Sequence, residues 1–574
     1  MSVSEFSPSQ LSTPTGAVNV AERLTRIAEQ MPAAVAVACP GHGDVAGQHS
    51  YATCTFAEME RDATVLARGL VDLGVTPGMR LVLLVKPGIE FVKLVFALLR
   101  SGATTVLIDP GMGKRHLVNC LAAVEPEGLV AISPAQAVRT ILRRRFPRAK
   151  LNVTVGRRWF WGGTTYRKLL VAGQHSAARL PITKANDPAA IIFTSGSTGP
   201  PKGVLYTHQM FETQVAEIQR EYDLQPGGAD LACFALFGLF NSALGITTVF
   251  PRMDFSRPAA ANPRKLLEAA SDWQVTQAFA SPAVWNKLSQ YCVEQGEQIP
   301  TLRKIFSCGA PVSAEILRRT LACCDAFAEM HTPYGATESL PVATIAASEV
   351  LGETASETAC GKGVCVGRKF ESVEWKIIRI KDEPIANIGD AEELPLGEIG
   401  ELIVCGPQVS PAYVTGDSQK HNSLAKIVDG ESVWHRMGDV GYFDREGRFW
   451  YCGRKNHRVE TAKETLYSEC VEGIFNEYTS VRRSALVGIG EPCQQRPFVI
   501  IEPSVEFVEA HALDFETMAY IELARQLHTM ARKQRAAAAV EGILFYSSFP
   551  VDVRHNSKIN REQLADWAAK EFQR

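Results

Sequence analysis

The sequence predicts a two-part α/β protein. A large N-terminal domain of doubly wound α/β subdomains, with a small β-rich subdomain, precedes an α+β C-terminal domain. Three observations predict it. From about Val18 to Phe250 helical and β patterns alternate, and a second α/β stretch follows with strand candidates VTQAFA (Val275 to Ala280) and LRKIFSCG (Leu302 to Gly309). That is the order of parallel sheets covered by helices. From about Gly363 to Gly453 short segments such as VEWKIIRI, GELIVCG and GRFWYCG alternate with turns, which predicts a small sheet or barrel. The pattern then changes to the strand SALVGIG, an Ala-rich helix from Met518 to Ala539, the strand GILFYSS and a closing helix with Leu564, Trp567, Ala568 and Phe572 on one face. A chain of 574 residues is also too long for one hydrophobic core.

Taken in order, the first apolar stretch, Leu81 to Pro110, carries Lys86, Glu90, Lys93 and Arg100. A membrane span needs about 18 apolar residues with few or no charges, so strand, helix, strand is the better reading. Next comes a run without acidic residues between Glu127 and Asp187. It holds twelve basic residues, among them Arg139, Arg143, Arg144, Arg145, Arg157 and Lys184, with Trp159, Phe160, Trp161 and Tyr166 interspersed. It reads either as a solvated basic face or as a docking surface for an acidic partner or anionic membrane. The overall net charge of -2 argues against general nucleic-acid binding. The fourteen cysteines are scattered with no C-x-x-C, suggesting neither a zinc site nor a disulfide framework. With a polar start (Met1 to Gln10), the expected setting is a reducing cytoplasm.

The apolar run Ala189-Ala190-Ile191-Ile192-Phe193 leads into TSGSTGPPKG, Thr194 to Gly203, and then into Phe211, Val215, Ile218 and Tyr222 at helical spacing. Glycines free the backbone N–H groups to turn toward a ligand, while hydroxyls and a lysine add donors. Composition alone fits a solvated turn equally well. A P-loop is excluded by counting: where its second glycine belongs stands Pro201, and Lys202 is followed by Gly203 rather than a hydroxyl.

Four further segments follow: YGATES (Tyr334 to Ser339), WHRMGDVGYFD (Trp434 to Asp444), YCGRKNHRVE (Tyr451 to Glu460) and RHNSKINRE (Arg554 to Glu562). With the glycine-rich loop and in this order, the chain resembles the adenylate-forming superfamily of acyl-CoA synthetases, luciferases and peptide-synthetase adenylation domains. The resemblance covers nearly the whole chain and implies ATP and Mg²⁺. It implies that Thr194, Ser195, Gly196, Ser197, Thr198, Gly199 and Lys202 wrap the β- and γ-phosphates. Gly309, Ala310 and Pro311, in SCGAP, would lie between adenine and acyl pocket. Tyr334 would stack on adenine beside Gly335, Thr337 would meet the α-phosphate, and Glu338 would coordinate Mg²⁺, a hard cation that prefers oxygen. Asp439 would accept from the ribose hydroxyls, with Arg454 adding a contact. Lys558 would place an ammonium where negative charge grows as a carboxylate attacks the α-phosphorus. Lys202, Thr337, Glu338 and Lys558 are thus the expected catalytic set. The family's mobile C-terminal domain would begin after Arg454, giving domains 1–454 and 455–574 with a hinge at Asn456, a residue tolerant of unusual backbone angles.

Two departures bear on the acceptor. Acyl-CoA ligases carry a glycine-rich turn after the hinge, whereas this chain has VETAKETLYSE and no glycine from Arg454 until Gly473. The usual Ser/Thr-Gly-Lys around the catalytic lysine is Asn556-Ser557-Lys558. These features, with FALFGLFNSALG (Phe234 to Gly245), resemble the β-lactone synthetases of bacterial olefin biosynthesis. That resemblance implies a 2-alkyl-3-hydroxy fatty acid, activated as acyl-AMP and closed by its own 3-hydroxyl, and partner enzymes of the olefin pathway in one assembly. A fatty acyl-CoA or acyl-carrier ligase shares every step up to the adenylate. Phe234, Leu236, Phe237, Leu239 and Phe240 suit an alkyl pocket or ordinary core packing. His208, His331 and His555 are candidate bases for the 3-hydroxyl.

Overall fold

The structure, a computed structural model, describes residues 17–41, 49–194, 200–236, 238–551 and 559–572. Two seven-stranded sheets form the large N-terminal part. One runs, in spatial order, Glu329–His331, Lys304–Phe306, Gln277–Phe279, Ala229–Ala232, Thr247–Val249, Val35–Pro40 and Tyr51–Thr55; only the last pair is antiparallel. The other runs Thr164–Thr165, Leu151–Val155, Gly128–Ile132, Arg80–Leu84, Thr104–Leu107, Pro188–Phe193 and Gly203–Thr207, again antiparallel only at the last pair. Strands covered on both faces read as continuous apolar runs, and all four residues of Thr104–Leu107 are buried.

The stretch that looked membrane-like folds as expected, into strand, helix and strand. The helix Ile89–Arg100 is apolar nearly all round because nine of its twelve residues are buried between layers. Arg100 is among them, and its guanidinium donates to Thr25 Oγ1 and Ala21 O and pairs with Glu60. Among the described residues no helix is long and apolar enough to cross a membrane. Where the 3.6-residue pattern begins, caps set the start. Thr55 forms a capping box with Glu58 ahead of Phe56–Asp72, and Thr207 Oγ1 accepts from Met210 N ahead of His208–Glu221.

The β-rich segment is an antiparallel sheet ordered Val364–Cys365, Phe449–Arg454, Ser432–Phe443, Gly400–Cys405, Glu374–Ile378, with Lys426–Asp429 paired to Ser432–Phe443. Past Arg454, the strands Val481–Ile489, Arg496–Pro503 and Gly542–Phe545 form a separate three-stranded sheet whose faces carry separate apolar clusters. One expectation is corrected here. The Ala-rich helix is Met518–Ala531 and stops short of Ala539. Beyond it the chain folds back so that Ala537 and Val540 bury against the same cluster as Ala531, and Arg532 Nη1 donates to Ala538 O. Tertiary burial overrides alanine's helix propensity.

Candidate active site

The loop that follows Phe193 is pinched at its base: Thr194 N donates to Lys202 O, and Lys202 N donates to Thr194 Oγ1, each at 3.0 Å. Ser195, Gly196, Ser197, Thr198 and Gly199 lie outside the described residues. Thr194, Pro200 and Lys202 line a cavity of about 2330 Å³, which Gly309, Ala310, Pro311, Tyr334, Gly335, Thr337, Glu338, Asp439 and Arg454 also line. The expected residues that the structure describes therefore share one cleft. Lys558 lies outside the described residues; Ile559, its neighbour in sequence, lines the cleft.

Each piece is held by its backbone. Tyr334 lies in the first strand, and Glu338 in the turn, of the tight hairpin formed by Tyr334–Ala336 and Ser339–Thr344. Tyr206 Oη donates to Thr337 O at 2.6 Å and Ser410 N to Glu338 O at 2.8 Å, fixing the turn. Asp439 is cross-strand partner to Arg454. It follows Gly438, whose φ of +66° suits glycine and turns the chain into the site. Arg454 Nη1 sits 3.0 Å from Asp439 Oδ1 and donates to Met437 O, while Tyr334 Oη donates to Asp439 Oδ2. Burial, then the Asp439 charge, drives the Tyr334 hydroxyl far above its usual range, so it stays a donor.

Two residues at the site carried no sequence signal. Tyr413 Oη donates to Glu338 Oε1. Its ring lies 5.0 Å from Lys202 Nζ and 5.6 Å from Lys426 Nζ, two cations at cation–π distance. Lys426 is buried, donates to Ser410 O at 2.6 Å, and is pushed down to about 7 by burial, against the pull of Glu338. Burial, followed by the Lys426 charge, holds neighbouring His435 well below its ordinary value, hence neutral. Lys202, with this buried and only partly charged amine behind Tyr413, makes this end of the cleft suited to polyphosphate.

The rest of the cavity is apolar and reaches both faces of the second sheet. Along strands, successive side chains alternate faces: Leu83, Leu107 and Ile192 belong to the core on one side, Leu84, Ile108 and Phe193 to that on the other, and all six line the cavity. The first arm runs between Phe91 and Val95, Phe211 and Val215, and Leu239 and Phe240. Phe234 and Leu236 of the expected alkyl set line it too, whereas Phe237 lies outside the described residues. The second arm, unforeseen, is walled by Leu117, Val118 and Leu121 of helix Lys114–Ala123, by Ala135 and Val138 of helix Ser133–Ile141, and by Phe146. The 117/121 and 135/138 spacings are the only sequence trace of it.

Polar groups mark the floor of the first arm. Asp230, buried, accepts from Asn241 Nδ2 at 2.8 Å, and Gln277 Nε2 donates to Asn241 Oδ1 at 3.3 Å. Burial pushes the Asp230 carboxyl up to about 7. Ala232 is level with Phe279 and Phe306, one residue below Ser307, so Asp230 sits roughly 10–15 Å beneath the Gly309 segment at ~3.3 Å per residue. That depth sets it apart from the expected nucleotide residues. The histidine candidates fare no better: neither His208 nor His331 lines the cavity, and burial pushes the first down to about 4 and lowers the second. His208 begins a helix and His331 packs between Tyr222 and Phe306, structural posts for both. His555 lies outside the described residues.

The comparisons with known proteins agree with this geometry. Residues 24–414 match the AMP-binding enzyme family. A protein named olefin beta-lactone synthetase from Xanthomonas campestris pv. campestris is 43% identical over 559 residues, covering 96% of this chain and 98% of its own. One of the same name from Stenotrophomonas maltophilia is 41% identical over 563 residues, covering 97% and 99%. Among solved structures, the amide bond synthetase McbA from Marinactinospora thermotolerans superposes with a TM-score of 0.75 at 20% identity, over 96% of this chain and 99% of that one, a likeness of fold. With Thr194 and Lys202 at the ends of the glycine-rich loop, the Tyr334–Glu338 hairpin and the Asp439–Arg454 pair lining one cleft, and with these relatives, the chain belongs to the AMP-binding, adenylate-forming enzymes.

Proposed function

We propose that this enzyme is a β-lactone synthetase acting on a long-chain 2-alkyl-3-hydroxy fatty acid. The observation that carries the reading is the cavity with apolar arms on both faces of one sheet below a single nucleotide cleft, which suits an acid branched into two alkyl chains. Relatives named olefin beta-lactone synthetase at 43% and 41% identity over nearly the full length support it.

In the first step the carboxylate attacks the α-phosphorus of ATP, a C–O–P bond forms, and pyrophosphate leaves. Asp439 and Arg454 hold the ribose, Tyr334 flanks the base, and Lys202 with the glycine-rich loop grips the outer phosphates. Lys558 stabilises the charge that develops on the bridging oxygens. Glu338 is the one acidic side chain among the expected residues at the phosphate end. Among the described residues no group of three or more His, Cys, Asp and Glu side chains could hold a metal. A single carboxylate fits Mg²⁺, which keeps its waters and binds through one or two carboxylates plus substrate phosphates.

In the second step the substrate's 3-hydroxyl oxygen attacks the acyl carbon, the bond to AMP breaks, and the hydroxyl proton passes to the departing AMP phosphate or to water. A four-membered lactone forms and AMP is released. Holding hydroxyl and acyl carbon together offsets much of the ring strain. No thiol need enter, and the segment after the hinge is consistent with that. Val459–Glu460 and Thr465–Leu466 pair as a short hairpin whose turn is tied by Thr461 Oγ1 donating to Glu464 O at 2.7 Å. The same reading takes 455–574 as the mobile domain, ATP and Mg²⁺ as requirements, a reducing cytoplasm as the setting, and olefin-pathway enzymes as partners.

The test is to incubate enzyme, ATP, Mg²⁺ and a 2-alkyl-3-hydroxy acid without coenzyme A. AMP and a product lighter by one water are expected. Thioester formation that requires coenzyme A, without lactone, would overturn the reading.

A further inference from the structure

The second arm of the cavity runs out toward the surface that carries the acid-free run of sequence. Val138 lines the cavity and is also 46% exposed; one turn on, Ile141 is 74% exposed. Arg139 lines the cavity beside Val138. The loop after strand Leu151–Val155 lies against the same helix, since Ser133 Oγ at its first residue donates to Arg157 O. This loop presents Trp159 and Phe160, 63% and 72% exposed, both packed on Trp161, which is buried and donates to Thr154 Oγ1. Val138 thus faces water where it lines the arm, with Ile141 one turn on, and Trp159 and Phe160 face water on the loop bonded to the start of the same helix, whereas a folded protein ordinarily keeps such groups apart.

Charge surrounds them. Arg143, Arg144 and Arg145 follow the helix, and Arg157 and Arg158 precede the aromatic pair. Arg143, Arg144 and Arg157 are exposed and, among the described residues, have no acidic partner. Exposed rings beside arginines, with no carboxylate from 128 to 186 to oppose them, are what the headgroup layer of an anionic bilayer accommodates.

We infer that this face is a membrane-docking surface for anionic lipid, seated so that the second arm of the cavity opens toward the bilayer. The inference rests on the proposed alkyl-chain substrate for its purpose. Each buried methylene contributes about 0.8 kcal/mol, so an acid with two long chains resides in bilayers rather than in water. A portal flush with the surface lets its chains slide into the arm without crossing solvent.

Lipid binding is measured without ATP or acid, so its outcome is independent of the catalytic reading. Full-length enzyme is sedimented with vesicles of equal parts phosphatidylcholine and phosphatidylglycerol, and with phosphatidylcholine alone. Retention on the anionic vesicles that falls as salt rises is expected, with little on the neutral ones. The triple variant Arg143→Gln, Arg144→Gln, Arg157→Gln should partition on the order of a hundredfold more weakly, about fivefold per arginine. Trp159→Ser with Phe160→Ser should also weaken retention. Both variants should turn over a short, water-soluble 2-alkyl-3-hydroxy acid at the parent's rate and unfold at the parent's temperature, which separates lost docking from lost folding. Equal retention on neutral and anionic vesicles, undiminished retention in both variants, or capture by an acidic protein with none by vesicles would each overturn the inference.

Discussion

Replacing Lys426 by Met tests the electrostatics of the cleft without touching the residues expected to hold nucleotide. In the fold this ammonium group is pushed down to about 7, while in the unfolded chain it titrates near 10.5. Below pH 7 both states hold the proton, and burial of the charge opposes folding in full. Between 7 and 10.5 the unfolded chain is protonated and the folded one is not, so folding releases a proton and stability rises with pH. Above 10.5 the penalty is gone. The gap corresponds to about 5 kcal/mol, at ~1.4 kcal/mol per pH unit. Met removes that penalty but leaves Ser410 O without its donor, a loss of about 1–3 kcal/mol. Lys426→Met should therefore be the more stable protein at pH 7 by roughly 2–4 kcal/mol and the less stable one near pH 10. Urea unfolding of both proteins across that range gives the difference directly. A difference that stays flat from pH 7 to 10 would refute the assignment of a dehydrated ammonium at this position.

Three other outcomes follow from the same geometry. Lys558→Ala should slow pyrophosphate release by at least about a hundredfold with acid binding little changed; an unchanged rate would remove it from the first step. Asp439→Ala would delete the charged acceptor proposed for the ribose and should raise KM for ATP roughly 10- to 150-fold, from about 1.5–3 kcal/mol per charged hydrogen bond, with kcat changed less. Leu121→Trp should fill the second arm and slow acids with a long 2-alkyl chain while sparing those with a methyl branch; equal rates on both would detach that arm from the substrate.

Much of this was legible because the chemistry sits in contiguous strings. The loop from Thr194 to Gly203, the hairpin at Tyr334–Ser339 and the Asp439 and Arg454 segments each announce themselves locally, and the alternation of strands and helices orders the sheets. Lys426 was not legible. It sits in LAKIVDG, where a lysine reads as a solvated strand residue, and its burial against Ser410 and Tyr413, distant in sequence, is set by the tertiary fold. The second arm was hidden for the same reason, since Leu121 and Val138 come from separate helices whose spacing predicts core packing and not a void beside it. The Ala-rich helix was overread because propensity rewards alanine, whereas the fold needed Ala537 and Val540 turned inward.

The trio of Asp230, Asn241 and Gln277 closes the first arm with polar groups already engaged with one another. A hydrocarbon tail can touch them but gains nothing by pressing further, since parting them would strand a buried acceptor. On the proposed function, the acid's length would then be limited at its methyl terminus, far from the bond being made. Widening that stop, as in Asn241→Ala, would relax the length limit while leaving the chemistry where it was.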